Sequence, residues 1–287
     1  MEVIRAEVMG FCMGVRRAVE TAEKIASEYR ESSLPIFTLG PLIHNPAVMD
    51  SLKKKGVDVV DGENLLAVKD GCPVVIRAHG AAPNVVDSLK KRGAVVVDAT
   101  CPRVRQSQKR VMDWSRLGYS VVVAGDKNHG EVTGLSGYFD PGFGGDFTVV
   151  QTVDEAKKLV LPEKTMLIAQ TTFSLEKYAE IRNVLSEKNP SMKIFDSICP
   201  ATMERQKALS ALEGKSDGIL VVGGRNSANT HRLLESAEKI CPRTALIEGP
   251  EEIPGEFFAM ERVALTAGAS TPDWVIDRVE KRLKSRG

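Results

Sequence analysis

Three cysteines stand at matching places in the chain, and this repetition constrains the fold more than any other feature. An apolar run of strand type precedes each cysteine and a helical pattern follows it. The three are Cys12, Cys101 and Cys199, and the helices are predicted over residues 15–29, 104–116 and 202–212. Because a helix amino terminus favours a thiolate, each cysteine is a candidate metal ligand or nucleophile.

Two further strands recur after each cysteine, and both end in polar residues. The residues at these ends are His44, His129, Glu131, Ser227 and Asn229 for the first strand, and His79, Thr171 and Ser270 for the second. Strands that alternate with helices predict parallel sheets, and ligands bind at the carboxyl ends of parallel strands. We therefore expect these side chains and the three thiols to line one cavity.

The repetition predicts an α/β fold with three similar domains and short, mainly parallel sheets. The expected boundaries are residues 1–92, 93–190 and 191–287. A guideline of about 150 residues per domain would give two domains for a chain of this length. The threefold repeat favours three domains that share one centre.

Charge and cysteine usage narrow the class of protein. The net charge of +1 gives no reason to expect a nucleic acid or an anionic membrane as partner. No apolar run approaches the roughly 18 residues that a membrane span needs, and the acidic first residues do not resemble a signal peptide. Five widely spaced cysteines indicate a reducing compartment, so we expect a cytoplasmic protein.

Four features fall outside the repeat. Cys72 and Cys241 each precede a proline at a strand entry, and we interpret both as small buried apolar residues. His231 is expected at the surface. The glycine-rich stretch 141–145 has no helix after it, so it is predicted to be a loop rather than a phosphate-binding turn.

The three repeated thiols admit four interpretations from the residues alone. Burial in a core explains one cysteine but poorly explains three at matching positions. Zinc sites usually draw ligands from close cysteine pairs, and the chain has none. A single nucleophile leaves two cysteines unexplained. An iron–sulfur cluster with three protein thiolates would leave one iron open to a substrate oxygen.

The polar residues at the strand ends suit an anion such as a phosphate or diphosphate. Ordinary structural roles compete with this interpretation. His44, Thr171, Ser227 and Asn229 are also good capping residues, and His79 could be a hydrogen-bonded core histidine. Glu131 is the single acid among these positions; it can relay a proton or simply begin a helix.

Nine short motifs carry a resemblance to a known family. They are GFCMGV (10–15), IHN (43–45), AHG (78–80), DATCP (98–102), HGEV (129–132), QTT (170–172), IC (198–199), NSANT (226–230) and TAGAS (266–270). In this order, from one end of the chain to the other, they resemble the 4-hydroxy-3-methylbut-2-enyl diphosphate reductase (LytB) family. That family catalyses the last step of the methylerythritol phosphate route to isoprenoids.

The resemblance implies a trefoil of three α/β domains around a pseudo-threefold axis, with a [4Fe-4S] cluster in the central cavity. Its ligands would be Cys12, Cys101 and Cys199, with one iron open to the substrate hydroxyl oxygen and easily lost in air. Thr171 would contact that hydroxyl and Glu131 would supply protons. The diphosphate contacts implied are His44, His79, His129, Ser227, Ala228, Asn229 and Ser270.

The reaction implied is a reductive dehydroxylation that yields isopentenyl and dimethylallyl diphosphate, with ferredoxin or flavodoxin as electron donor. Two positions depart from the family pattern. Gly130 replaces a common proline, so the Glu131 loop is expected to be looser, and Ala228 replaces a common serine. Neither departure removes a cluster ligand or the acid.

Two functions of other classes fit the same thiols. A hydro-lyase with an open-iron cluster would turn over without an electron donor. A non-enzymatic iron-binding or iron-sensing module would not need Glu131.

Overall fold

The computed structural model of the chain describes residues 1–61 and 65–285, in which short strands and helices alternate. The strands are β1 Glu2–Arg5, β2 Ile36–Leu39, β3 Val57–Val60, β4 Pro73–Ile76, β5 Val95–Asp98, β6 Ser120–Ala124, β7 Phe147–Val150, β8 Thr165–Ala169, β9 Lys193–Phe195, β10 Gly218–Val222, β11 Thr244–Ile247 and β12 Arg262–Ala267. The helices are α1 Met13–Glu28, α2 Pro46–Lys54, α3 Pro83–Lys91, α4 Pro102–Ser115, α5 Gly130–Ser136, α6 Val153–Lys158, α7 Leu175–Lys188, α8 Pro200–Ser210, α9 Ala228–Ile240 and α10 Asp273–Lys284.

These strands form three four-stranded sheets. The strand orders are β1-β12-β10-β11, β3-β2-β4-β5 and β7-β6-β8-β9. Every strand pair in them is parallel. The predicted α/β class with three short parallel sheets is confirmed.

The strand that leads into each repeated cysteine is an edge strand. β5 precedes Cys101 and pairs with β4, and β9 precedes Cys199 and pairs with β8. β1 precedes Cys12 and pairs with β12 near the other end of the chain. Each sheet therefore includes a strand from beyond the expected domain boundary, and the division at residues 92 and 190 stays a prediction.

The chain forms two compact units. The first contains Met1–Arg16, Ile43–Lys54 and the chain from Pro200 onward, and it holds the sheet β1-β12-β10-β11. The second contains Arg17–Leu42 and Lys55–Cys199, and it holds the other two sheets.

The inner strands of the second unit are buried on both faces. On β6, Val122 packs with Leu167 and Ile181 on one face, while Val121 and Ile168 lie in the cluster on the other. Parallel strands covered on both sides have continuous apolar runs, which explains why these strands were recognisable in the sequence. The packed core fixes the strand ends from which the polar loops leave.

The helices after the three cysteines begin two residues earlier than predicted, at Met13, Pro102 and Pro200. In α4 and α8 the first helical residue is proline. At this position the missing N–H would have no partner in the helix, and the fixed φ angle suits helix entry. The two prolines therefore place each helix start directly after its cysteine.

Candidate active site

The backbone of each repeated cysteine is held in the same way. The N–H of Cys101 donates to the carbonyl of Ala78 at 3.0 Å, and the N–H of Cys199 donates to the carbonyl of Thr171 at 2.8 Å. In the first unit, the N–H of Cys12 donates to the carbonyl of Ala269 at 3.1 Å. Each acceptor is the second residue after the end of β4, β8 or β12. The internal repeat therefore extends to the hydrogen bond that positions each thiol.

This bond corrects one detail of the repeat alignment. The sequence aligned Thr171 with His79 and Ser270, whereas its place after the strand end makes it equivalent to Ala78 and Ala269. The sequence alignment matched the polar residues of the three loops. It missed this one-residue shift because those polar residues do not stand at the same distance from the strand end in each copy.

Each cysteine stands directly before or near a helix start, and one of them receives a backbone donor at its sulfur. None of the three is in a disulfide with a described residue, and all three are partly exposed. At the start of α1, the Val15 N–H points at Cys12 Sγ, with an N···S distance of 3.4 Å. A helix amino terminus with a backbone donor directed at sulfur stabilises a thiolate. Cysteines in this setting fit the ligands of an iron–sulfur cluster.

Glu131 and Thr171 make direct contact in the second unit. Glu131 is completely buried on α5. Its Oε1 accepts the Thr171 N–H at 2.8 Å, and its Oε2 accepts the Thr171 hydroxyl at 2.7 Å. Since the Thr171 carbonyl accepts the Cys199 N–H, hydrogen bonds link Glu131 through Thr171 to Cys199. The sequence predicted each residue in the site but not this chain of bonds.

Two of the predicted histidines also meet in the second unit. The rings of His79 and His129 pack edge to face, with their centroids 5.0 Å apart. His129 caps α5, and its Nδ1 accepts the Glu131 N–H at 3.2 Å. This bond requires an unprotonated Nδ1, which leaves Nε2 of His129 as the donor in the neutral ring.

The first unit gathers another part of the predicted anion site. Ser227 caps α9, its Oγ accepting the Thr230 N–H at 3.3 Å, so the capping role considered for it is observed. The Ser270 hydroxyl donates to the carbonyl of His44 at 3.2 Å. Ala228 is the first residue of α9. The loops after β10 and β12 thus come together with the loop before α2.

Asn229 stands out among these residues. Its side chain is buried, and its Nδ2 has no hydrogen-bond partner among the described residues. An unpaired buried donor is destabilising by roughly 1–3 kcal/mol. A ligand oxygen would remove that penalty, so Asn229 suits an anion-binding role.

One buried polar residue of the site had no predicted role. Gln170 is completely buried, its Oε1 accepts the Asp126 N–H and its Nε2 donates to Thr172 Oγ1, each at 2.8 Å. It ties the loop after β6 to the loop after β8. An amide at the end of an otherwise apolar strand was the available signal.

The residues outside the repeat lie where the sequence placed them. Cys72 and Cys241 are buried in apolar clusters, and His231 is exposed. The glycine-rich stretch forms an exposed loop with a short 3₁₀ turn at Pro141–Phe143. Among the helices that the structure describes, none is both long and apolar enough to span a bilayer.

The fold is of the parallel α/β class, with cysteines, a buried acid and polar side chains in the loops that follow the carboxyl ends of its strands. The profile of the LytB protein family matches residues 3–284. The chain belongs to the LytB family.

Two curated relatives match along nearly the whole chain. A Treponema denticola protein named 4-hydroxy-3-methylbut-2-enyl diphosphate reductase is 45% identical and covers 99% of each chain. A protein of the same name from Caldanaerobacter subterraneus is 38% identical and covers 99% of this chain and 97% of its own.

Two solved structures match as well. One, of (E)-4-hydroxy-3-methyl-but-2-enyl diphosphate reductase, is described as the terminal enzyme of the non-mevalonate pathway. It has a TM-score of 0.72 at 39% identity and covers 99% of this chain and 100% of its own. The Plasmodium falciparum reductase has a TM-score of 0.88 at 30% identity and covers 99% and 87%. The predicted family, and with it the assignment as a reductase, are confirmed.

Proposed function

We propose that this chain reductively dehydroxylates 4-hydroxy-3-methylbut-2-enyl diphosphate to isopentenyl and dimethylallyl diphosphate. The match to named reductases over the full chain supports the substrate and reaction class. The observation that carries the proposal is the buried Glu131 carboxyl, which Thr171 holds at both oxygens and links to Cys199. An enclosed acid that is hydrogen-bonded through one residue to a candidate cluster ligand can deliver a proton to a group that reacts there.

We propose that Cys12, Cys101 and Cys199 ligate a [4Fe-4S] cluster with one open iron. The repeated backbone hydrogen bond that anchors all three cysteines supports this ligand set. When bound, the cluster supplies the electrons and a Lewis-acidic iron for the substrate oxygen.

Glu131 and Thr171 are the residues assigned to proton delivery. In the overall reaction the allylic C–O bond breaks, the oxygen leaves as water, and two electrons and two protons are taken up. Glu131 would supply protons from a position that bulk water does not reach. The Thr171 hydroxyl, which donates to Glu131 Oε2, is the group that would meet the substrate hydroxyl.

The diphosphate contacts that we propose are His44, His79, His129, Ser227, Ala228, Asn229 and Ser270. The unpaired Nδ2 of Asn229 and the Nε2 donor of His129 support this assignment. Ala228 would act through its backbone N–H at the start of α9, so the absence of a hydroxyl there removes no donor.

The remaining partners belong to the same proposal. Ferredoxin or flavodoxin would deliver the electrons, and the enzyme would act in the cytoplasm, where free thiols are maintained.

The test begins with iron and sulfide content and the electronic spectrum of protein purified without oxygen. A [4Fe-4S] cluster in every chain corresponds to about four irons, so we expect the iron content of the wild type to approach that value. We expect Cys101→Ser to lose this iron. Cys72→Ala is the matched control, because Cys72 is a buried core thiol. Zinc in place of iron, or full iron content in Cys101→Ser, would refute the ligand set.

Turnover is then measured with and without a reductant. Consumption of the substrate only when an electron donor is present supports the reductase. Turnover without a donor would indicate a hydro-lyase instead.

A further inference from the structure

Arg77 lies just after β4, two residues before His79, and its guanidinium rests on two glycines of the second unit. A Cβ atom on Gly130 would lie 2.6 Å from Arg77 Nη2 and 2.9 Å from Cζ. A Cβ on Gly40 would lie 2.9 Å from Nη1. The guanidinium therefore fills the space that the missing side chains of Gly40 and Gly130 leave open.

Arg77 supplies the nearest atoms at both glycine positions. The three atoms nearest to the Cβ position of Gly130 all belong to Arg77. Gly40 is in the left-handed region, with φ of 67°, where other residues are strained, so the backbone itself favours glycine at this second contact. A planar guanidinium can cover two backbone segments at once, which a lysine ammonium cannot do.

The loop that contains Gly130 is anchored on both sides by other bonds. Before it, the His129 N–H donates to the Asp126 carbonyl at 3.0 Å. After it, Glu131 is held at both oxygens by Thr171. The Glu131 carboxylate is held by Thr171 independently of Gly130, so we expect a change at Gly130 to act mainly on its other neighbour, His129.

The charge of Arg77 fits this location. Burial lowers the pKa of Arg77, and the carboxylate of Asp61 opposes that effect. A guanidinium stays protonated even when partly desolvated. Arg77 thus places a positive charge against Gly130, the residue that follows His129. A positive charge at this place favours an anionic ligand.

We propose that Arg77 is a positioning residue that holds His129, through Gly130, in place for the diphosphate end of the substrate. This inference rests on the proposed function. The loop that contains Gly130 would then have two separate functions. Arg77 would support anion binding through His129, and Thr171 would support proton delivery through Glu131.

Removing Arg77 should weaken diphosphate binding and leave the chemical step nearly intact. For Arg77→Ala we expect the Kd for inorganic diphosphate and the KM of the substrate to rise about tenfold, equivalent to about 1.4 kcal/mol. kcat should change by less than about threefold, because a mutation that acts on binding alone raises KM and spares kcat.

The experiment uses the cluster-loaded enzyme and four variants. Arg77→Ala, Gly130→Ala, their double variant and Arg77→Lys are compared by calorimetry with inorganic diphosphate and by steady-state kinetics. The control is Arg278→Ala, which removes an exposed arginine paired with Glu251. Thermal unfolding verifies that each variant is folded.

The double variant gives the sharpest outcome. A methyl group on Gly130 displaces the guanidinium, so Gly130→Ala should weaken binding on its own and add nothing in the Arg77→Ala background. Arg77→Lys should recover only part of the affinity, since it restores the charge without the packing. Additive effects, full recovery by lysine, or an unchanged Kd in Arg77→Ala would overturn the inference.

Failure of the proposed function has a different signature. In that case the wild-type enzyme itself would neither bind diphosphate nor consume the substrate, and the role of Arg77 would be refuted with it. A wild type that does both, with Arg77 variants that match it, refutes the role of Arg77 alone.

Discussion

Replacing Glu131 by glutamine removes the proposed proton donor while keeping the shape of the side chain. The glutamine carbonyl can accept the Thr171 N–H, as Oε1 does now at 2.8 Å. The Thr171 hydroxyl now donates to Oε2 at 2.7 Å, and it can rotate to accept from the new amide. Both contacts therefore survive, and the fold around Cys199 is expected to remain intact.

The two effects of this substitution differ in size. Glutamine keeps both hydrogen bonds, and a hydrogen bond contributes about 0.5–1.5 kcal/mol net, so the free energy of unfolding should fall by less than about 2 kcal/mol. General acid catalysis contributes roughly 10²–10⁴-fold, so kcat should fall by that factor. This corresponds to about 3–5 kcal/mol of transition-state free energy. KM should change little, because the diphosphate contacts are other residues.

The assay measures substrate consumption by cluster-loaded enzyme with a chemical reductant, in the absence of oxygen. Iron content and the electronic spectrum of Glu131→Gln must match the wild type, so that a loss of rate is not a loss of cluster. Glu180→Gln, at an exposed position on α7, is the control for general effects of the substitution. If Glu131→Gln retained kcat within about threefold of the wild type, far less than the loss expected for a general acid, Glu131 would not be the proton donor.

Two further predictions test the anion site and the fold. Asn229→Ala should raise the KM of the substrate about tenfold, as the loss of one good hydrogen bond implies. Its thermal unfolding temperature should not fall, because the Nδ2 that is removed has no partner among the described residues; a large loss of stability with an unchanged KM would contradict the assigned role. At the other end of the first unit, the hydrogen bond from Lys284 lowers the pKa of Glu280, burial opposes this, and Arg5 lowers it further. The stabilisation is therefore present above the ordinary value of 4.5 and is lost as the pH falls through the native-state pKa. Urea unfolding should find Glu280→Gln less stable than the wild type at neutral pH and equal to it in acid; a difference that persists in acid would show that the effect is not electrostatic.

The sequence was sufficient to predict the fold class and the strand ends, because inner parallel strands are continuous apolar runs. Stretches such as 121–123 and 166–168 cannot be mistaken for exposed strands. The pairing of the edge strands was not predictable in the same way. β5 pairs with β4, in the sheet that also holds β2 and β3, although it leads into the cysteine of the next repeat, Cys101. Nothing local in Val95–Asp98 indicates which sheet this strand joins.

The sequence placed the candidate site residues at strand ends, but it did not indicate the contacts between them. Glu131 and Thr171 follow β6 and β8, which are neighbours in one sheet, so the topology brings the two loops together. The topology does not indicate that both carboxylate oxygens would be occupied by one threonine. Arg77 gave even less signal, because an arginine after a strand is ordinary and its role depends on two glycines far away in sequence.

The position of Thr171 shows how the repeat and the active site are related. Ala78, Thr171 and Ala269 occupy the same place after their strands, and the carbonyl of each accepts a cysteine N–H. The backbone function is thus common to all three copies, and it needs no particular side chain. A hydroxyl occurs in one copy only, and there it holds Glu131. The repeated backbone positions three thiols alike, while a single side-chain difference determines which of them has an acid beside it.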